Sequence, residues 1–120
     1  MESLRQSLDS ILNACDTLLK SALSDQQQGD VLAIRTATQE ISSRIDAAAA
    51  KLPALPTNII AEVRSPLTIL IGYAEVLLDR TATHKDQKQQ LTMILREARP
   101  LLSVIENVFG LDQDRTDPLA

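Results

Sequence analysis

Residues 61–79 read AEVRSPLTILIGYAEVLLD, and this stretch decides the expected fold of the chain. Its apolar residues recur every three or four positions, the spacing that places them on one face of an α-helix. Pro66 lies inside this pattern and predicts a kink, because proline lacks a backbone donor. We predict a helix over about residues 58–80, with Thr57 as its cap. The predicted inward face is Ile60, Val63, Leu67, Leu70, Ile71, Ala74, Leu77 and Leu78.

Two further amphipathic helices are predicted in the first half of the chain. The first spans about residues 2–22, and the second runs to about residue 50. Between them, Ser24 and Gln27 have the spacing of a capping box, which satisfies free backbone donors at a helix start. The predicted inward face of the first helix is Leu4, Leu8, Ile11, Leu12, Cys15, Leu18, Leu19 and Ala22, and that of the second is Val31, Ile34, Thr38, Ile41, Ile45, Ala48 and Leu52.

A fourth helix is predicted over about residues 85–109. Thr83 with Asp86 offers a capping signal at its start, and Gly110 suits a left-handed helix end. Pro100 lies inside the pattern and predicts either a kink or a break. The predicted inward face is Leu91, Ile94, Leu95, Ala98, Leu101, Leu102, Ile105 and Phe109.

The four helices divide into two hairpins. The stretch KLPALPT, residues 51–57, separates them, because prolines favour extended backbone. We therefore predict an all-α, antiparallel four-helix bundle over residues 1–109, made of hairpins at about 2–50 and 58–109, with a flexible tail over 110–120. A lone hairpin would expose its apolar face, so two hairpins must pair. Pairing within one chain gives a monomeric pseudo-dimer, and pairing between chains gives a homodimer.

The composition agrees with a helical bundle and disfavours several classes of partner. The chain has 120 residues, of which 44% are apolar and 2% aromatic, as expected for one compact helical domain. A net charge of −4 disfavours nucleic acid and anionic membranes as partners. With neither a membrane span nor a signal peptide in the sequence, we expect a cytoplasmic protein. Cys15 is the single cysteine, and we interpret it as a core residue.

The stretch at residues 61–79 resembles the phosphoacceptor helix of sensor histidine kinases, part of their dimerisation and phosphoacceptor domain. In that family the helix reads His-Glu-x-x-Ser/Thr/Asn-Pro-Leu, followed by an apolar run with Gly and a Tyr or Phe. Ala61 occupies the position of the histidine, and a methyl group cannot carry a phosphoryl group. The resemblance implies a kept scaffold and a lost acceptor. The residues in register are Glu62, Arg64, Ser65, Pro66, Leu67, Gly72, Tyr73 and Glu75.

The two halves of the chain also resemble each other, at shifts of 59 and then 60 residues. Residues 18–41, LLKSALSDQQQGDVLAIRTATQEI, are similar to the end of a phosphoacceptor helix, its turn and the start of its partner helix. In that alignment Glu2 falls at the histidine position, so the first half would lack an acceptor too. Because any two amphipathic hairpins match partly by chance, true repetition and chance similarity both stay open. We expect the likeness to cover residues 2–109.

The resemblance implies roles for motif residues, but the sequence does not indicate an enzyme. In the family, the acid at Glu62 assists the histidine, and the polar residue at Ser65 is linked to phosphatase activity. Without a histidine, Glu62 is better explained as a solvated helix residue, and Ser65 is also explained as a residue that hydrogen-bonds locally beside the kink. The three glycines are scattered, so no nucleotide-binding loop is visible. We expect no catalytic residue, no cofactor and no metal site.

The resemblance also implies a docking surface, because the receiver domain of a response regulator packs on this helix beyond the histidine. The corresponding region here runs from Arg64 to Val76, and we predict Arg64, Leu70, Tyr73 and Val76 as partner-binding residues. For Ile59 and Ile69 we favour burial within the bundle. The expected function is non-catalytic binding of a response regulator receiver or a sensor histidine kinase, which modulates a two-component phosphorelay.

Two alternatives are kept. His84 is the only histidine, so the chain could be a phosphotransfer protein that uses it, although its predicted position in a turn indicates an ordinary surface residue. The other alternative is a purely structural role in helical oligomerisation or tethering.

Overall fold

The computed structural model describes residues 2–51, 58–81 and 84–110, which form helices joined by short turns. The predicted all-α architecture is confirmed, and the described residues contain no strand. The elements are α1 (Glu2–Leu19), α2 (Asp25–Ala50), α3 (Ile59–Val76), α4 (Lys85–Ala98) and α5 (Leu101–Val108), and a π-helical segment, Leu77–Thr81, continues α3.

The helices pack as a four-membered ring in which each helix contacts the next one in the chain. Helix α2 packs against both α1 and α3, and α4 packs against both α3 and α1. Helix α5 extends the fourth arm of the bundle and also contacts α1 and α3. One hairpin therefore covers the apolar face of the other within a single chain.

One continuous apolar core runs through the bundle, and periodicity located most of it. In α2 every described residue of the predicted face is buried, and Leu52 lies outside the described residues. In α3 the buried face is rotated toward Ile59 and Pro66, so Ile60, Ile71 and Leu78 are only half-buried. The same holds for Leu12 and Leu19 in α1 and for Leu102 in α5, whereas Ala14 and Ala37 join the core.

The turn between α1 and α2 is fixed by backbone and side-chain hydrogen bonds. Helix α1 ends at Leu19, three residues earlier than predicted, because the amides of Lys20 and Ser21 bond to carbonyls three residues back, at 3.2 and 2.9 Å. Ala22 consequently lies outside the helix and is exposed, which corrects its predicted place in the core. The predicted capping box is confirmed, since Ser24 and Gln27 exchange bonds of 2.9 and 3.1 Å.

The predictions for the other helix ends are confirmed only in part. Asn58 precedes α3 and His84 precedes α4, and neither side chain forms a capping bond. The predicted caps Thr57 and Thr83 lie outside the described residues, as does the predicted tail beyond Gly110. Gly110 itself has a φ of 71°, which confirms the left-handed helix end.

The two internal prolines have different outcomes. Between the alternatives at Pro100, the structure has the break: α4 ends at Ala98, and α5 begins at Leu101. A single helix over 85–109 is therefore wrong, because proline cannot donate the backbone bond that would join the two pieces. At Pro66 the helix continues, and α3 is assigned without interruption across it.

Burial follows the same register in the two hairpins. Five buried residues of α1 have buried counterparts 59 positions later, and five of α2 have buried counterparts 60 positions later. The π-helical segment lies where the extra residue of the second hairpin must be, and a π-turn accommodates one additional residue. The pairs are Leu4/Val63, Leu8/Leu67, Ile11/Leu70, Cys15/Ala74 and Leu18/Leu77, and then Val31/Leu91, Ile34/Ile94, Thr38/Ala98, Ile41/Leu101 and Ile45/Ile105.

Candidate functional site

The degenerate acceptor motif lies on the surface, in the first two turns of α3. Ala61, Glu62, Arg64 and Ser65 are exposed, whereas Pro66 is buried against the bundle. Helical spacing explains this division, since Pro66 shares the inward face of α3 with Val63 and Leu70. The motif is thus accessible to another protein.

The acid of the motif is paired with the first hairpin. Glu62 Oε1 lies 3.8 Å from Arg44 Nη1 on α2, and both side chains are about half exposed. An exposed ion pair of this kind contributes at most about 1 kcal/mol. Its main consequence is positional, because it brings α2 alongside the motif.

The only histidine of the chain, His84, lies far from Ala61. His84 is exposed at the start of α4, as predicted. It lies beyond the far end of α3 from Ala61, and a rise of about 1.5 Å per residue separates the two positions by roughly 30 Å. The described residues also contain no group of three or more side chains suited to hold a metal ion.

Cys15 is a core residue, as predicted, and is not a candidate nucleophile. Its side chain is fully buried. Burial in the apolar core raises the pKa of the thiol to about 12, with a further rise from the negative charge of Asp16 and an opposing effect of Arg35. The thiolate, which is the reactive form, is therefore scarce at neutral pH.

A groove between α2 and α3 runs beside the motif. One section of about 600 Å³ is lined by both helices, and a second of about 370 Å³ continues toward the end of α3. The large apolar side chains that are exposed among the described residues all line it: Leu32 (48% exposed), Ile69 (45%), Tyr73 (41%) and Val76 (45%). Clustered exposed apolar residues are typical of interaction surfaces, whereas isolated ones are common on any protein surface.

Two predictions about this surface need correction. Leu70 is fully buried, so it supports the groove from within the core and cannot contact a partner. Ile69 is exposed, although we expected it inside the bundle, because its side of α3 faces the groove and no described element covers it. Ile59, by contrast, is buried as expected.

The remaining predicted partner-binding residues are accessible. Tyr73 and Val76 line the groove, and Arg64 is exposed one turn before Thr68, whose hydroxyl donates to the Arg64 carbonyl at 2.9 Å. Thr68 lines the second section of the groove, so Arg64 flanks that section without lining it.

Sequence reasoning missed the contribution of α2. Leu32, Asp30 and Glu40 line the groove from the first hairpin, outside the motif on which the prediction rested. Leu32 did carry a signal, because it is the large apolar residue of α2 that lies off the inward face.

No described helix is both long and apolar enough to span a bilayer.

No curated protein and no solved structure matches the chain. The family model of the His Kinase A (phospho-acceptor) domain matches residues 58–115, which contain α3, α4, α5 and the Ala61 motif. Together with the helical hairpin described above, this match shows that residues 58–115 belong to the His Kinase A (phospho-acceptor) domain family.

Proposed function

We propose that this chain is a non-catalytic, histidine-kinase-like signalling module that binds the receiver domain of a response regulator, or a sensor histidine kinase, and modulates their phosphorelay. The observation that carries the proposal is the position of the exposed apolar residues. Three of them, Ile69, Tyr73 and Val76, lie on α3 directly after the acceptor motif, where the family resemblance implies receiver docking.

The non-catalytic part of the proposal rests on the side chains of the motif. At Ala61 the family's nucleophilic imidazole is replaced by a methyl group, which has no lone pair to attack a phosphoryl group. Glu62 faces Arg44 and has no imidazole next to it to activate. A module of this kind would occupy a partner without exchanging phosphate, and would act as a decoy or a scaffold.

The docking part rests on exposed area and residue type. Tyr73 offers an aromatic ring with a polar tip, the residue type that most often anchors protein interfaces. Ile69 and Val76 lie one turn before it and about one turn after it on the same helix, so the three can be covered together. If no partner covers these side chains, their apolar surface stays in water, which costs roughly 25 cal/mol per Å².

Calorimetric titration of the full chain against a panel of receiver domains and kinase cytoplasmic regions tests the proposal. We expect saturable binding to at least one of them, weakened about tenfold or more by Tyr73→Ala. Thr92→Ala, an exposed substitution on α4 away from the groove, is the matched control and should bind like the unmodified chain. No binding across the panel, or equal losses from both substitutions, would refute the proposal.

A further inference from the structure

The walls of the α2–α3 groove combine an apolar floor with acidic edges. The charged side chains among its lining residues are Asp30, in the section near Val76, and Glu40, in the section near Ser65. Neither acid forms an ion pair with a described residue. The groove therefore offers a negative charge near each end and apolar side chains between them.

The corresponding surface on the other side of the bundle has different chemistry. The counterpart of Leu32, 60 positions later, is Thr92, and the counterpart of Ile69, 59 positions earlier, is Ser10. Around Thr92 the surface of α4 is lined by three cations, Lys85, Lys88 and Arg96. Among the described residues, the two hairpins therefore repeat the core but not this surface. The α2–α3 groove is apolar with acidic edges, whereas the corresponding surface of α4 carries basic side chains.

From this difference we infer that the α2–α3 groove binds a single amphipathic helix of a partner protein, with an apolar stripe flanked by Lys or Arg, and that the chain binds one such helix rather than two. The inference deepens the proposed function and rests on it for the identity of the partner. Helix α2, from the first hairpin, then determines which partner helix fits, through Leu32, Asp30 and Glu40.

The dimensions of the groove suit a short helix. Its lining residues on α2 extend from Gln26 to Glu40, which is roughly 21 Å along a helix that rises about 1.5 Å per residue. A partner helix of about 14 residues has that length. Three or four apolar side chains at three- and four-residue spacing would contact Leu32, Ile69 and Tyr73, while basic side chains at its ends face the two acids.

The test uses the full, isotope-labelled chain and synthetic helical peptides of about 16 residues. The peptides share one apolar stripe and carry either Lys and Arg or Asp and Glu at their flanks. We expect amide NMR shifts concentrated on α2 and α3, one peptide per chain, and binding at least about tenfold tighter for the basic peptides. Leu32→Asp should abolish these shifts, while its counterpart Thr92→Asp should leave them unchanged.

Charge reversal adds a second variant that does not depend on the apolar contacts. In the chain with Asp30→Lys and Glu40→Lys, the preference should switch toward the acidic peptides. The inference is overturned by absent shifts, by shifts centred on α4 and α1, by two peptides per chain, or by a preference that charge reversal does not change. Receiver binding without peptide binding would remove this inference and leave the proposed function, whereas peptide binding without any receiver or kinase binding would do the reverse.

Discussion

Arg44 of the first hairpin and Glu62 of the degenerate motif form an ion pair across the α2–α3 interface, with 3.8 Å between Nη1 and Oε1. The contact joins the family-matched half of the chain to the half that the family model does not cover. In a histidine kinase a second chain would supply the neighbouring hairpin. Here the chain supplies it, and the surface beside the motif is built from both halves.

Restoring the imidazole is the most direct test of what the motif has lost. Because Ala61 is exposed on α3 next to Glu62, Ala61→His should accept a phosphoryl group from a kinase or phosphorylated receiver that binds the chain. Acid-labile label at residue 61, located by mass spectrometry, is the readout. Adding Glu62→Ala should slow labelling by about 100-fold, the usual size of acid–base assistance.

The control for this experiment is Ala61→Gln, which has similar bulk and no nucleophilic ring nitrogen, and it should stay unlabelled. A phosphoryl group found on His84 in the unmodified chain would contradict the proposal that the protein is non-catalytic. It would support the phosphotransfer alternative.

Leu70 and Ile69 are neighbours in sequence with opposite environments, and their substitutions should differ accordingly. Leu70→Ala removes a fully buried side chain and should lower the free energy of unfolding by about 2–5 kcal/mol. Ile69→Ala, at 45% exposure, should change it by about 0.5 kcal/mol or less and still weaken partner binding. Urea denaturation and calorimetry together measure both effects. Equal destabilisation by the two substitutions would mean that the groove is covered in solution.

Periodicity placed Leu70 on the inward face of α3 and left Ile69 off it, but it could not show whether another element covers Ile69. Both belong to one apolar run, and the inward face is known from spacing only to within about one residue. Which side of α3 stays open depends on the approach of α2, a contact between segments that lie far apart in the chain. The core of α2 was predictable because its large apolar residues, apart from Leu32, form one stripe from Val31 to Ile45.

Helix ends were predictable where one local side chain decides them. Ser24 and Gln27 form the predicted box because the interaction needs only the two residues and their own backbone. The end of α1 at Leu19 depends instead on how tightly the chain turns toward α2, and the sequence carries no comparable signal for it. The α2 side of the groove was missed for a related reason: the family motif directed attention to α3 alone.

The Ser24 cap makes a measurable contribution to stability. Ser24→Ala removes the oxygen that accepts the Gln27 amide and should cost about 1 kcal/mol of unfolding free energy. Ser24→Gly should cost only a few tenths of a kcal/mol, because glycine leaves the backbone donors accessible to water. Thermal denaturation monitored by circular dichroism measures both, and equal losses would argue against the capping role.

Cys15 predicts a loss of stability at high pH. Burial raises the pKa of its thiol to about 12 from an ordinary value of 9.0, so the folded state holds the proton more tightly than the unfolded state does. This contribution is fully present below about pH 9 and is lost as the pH rises toward 12, with a limiting slope of about 1.4 kcal/mol per pH unit. Urea denaturation of the native chain between pH 8 and 11, at about one-unit steps, measures the slope.

Cys15→Ala serves as the comparison, because other groups also titrate in this range. Its stability should fall less steeply above pH 9 than that of the native chain, even though it starts lower for lack of the buried sulfur. If the stabilities of the two chains fall equally with pH, burial does not raise the pKa of the Cys15 thiol. Rapid reaction of Cys15 with a thiol reagent in the folded state at pH 8 would lead to the same conclusion.

The arrangement of the two hairpins predicts the mass of the protein in solution. Because α1 and α2 already cover the apolar faces of α3, α4 and α5, the chain should be a monomer of 13.1 kDa by light scattering at micromolar concentration. Cutting the linker after Lys51 should leave the two hairpins associated, since the core and not the connection holds them together. If differently labelled chains instead exchange hairpins and form a dimer, the prediction of a monomeric pseudo-dimer is wrong. Such a dimer would have two α2–α3 grooves, so one partner per chain would then correspond to two partners per dimer.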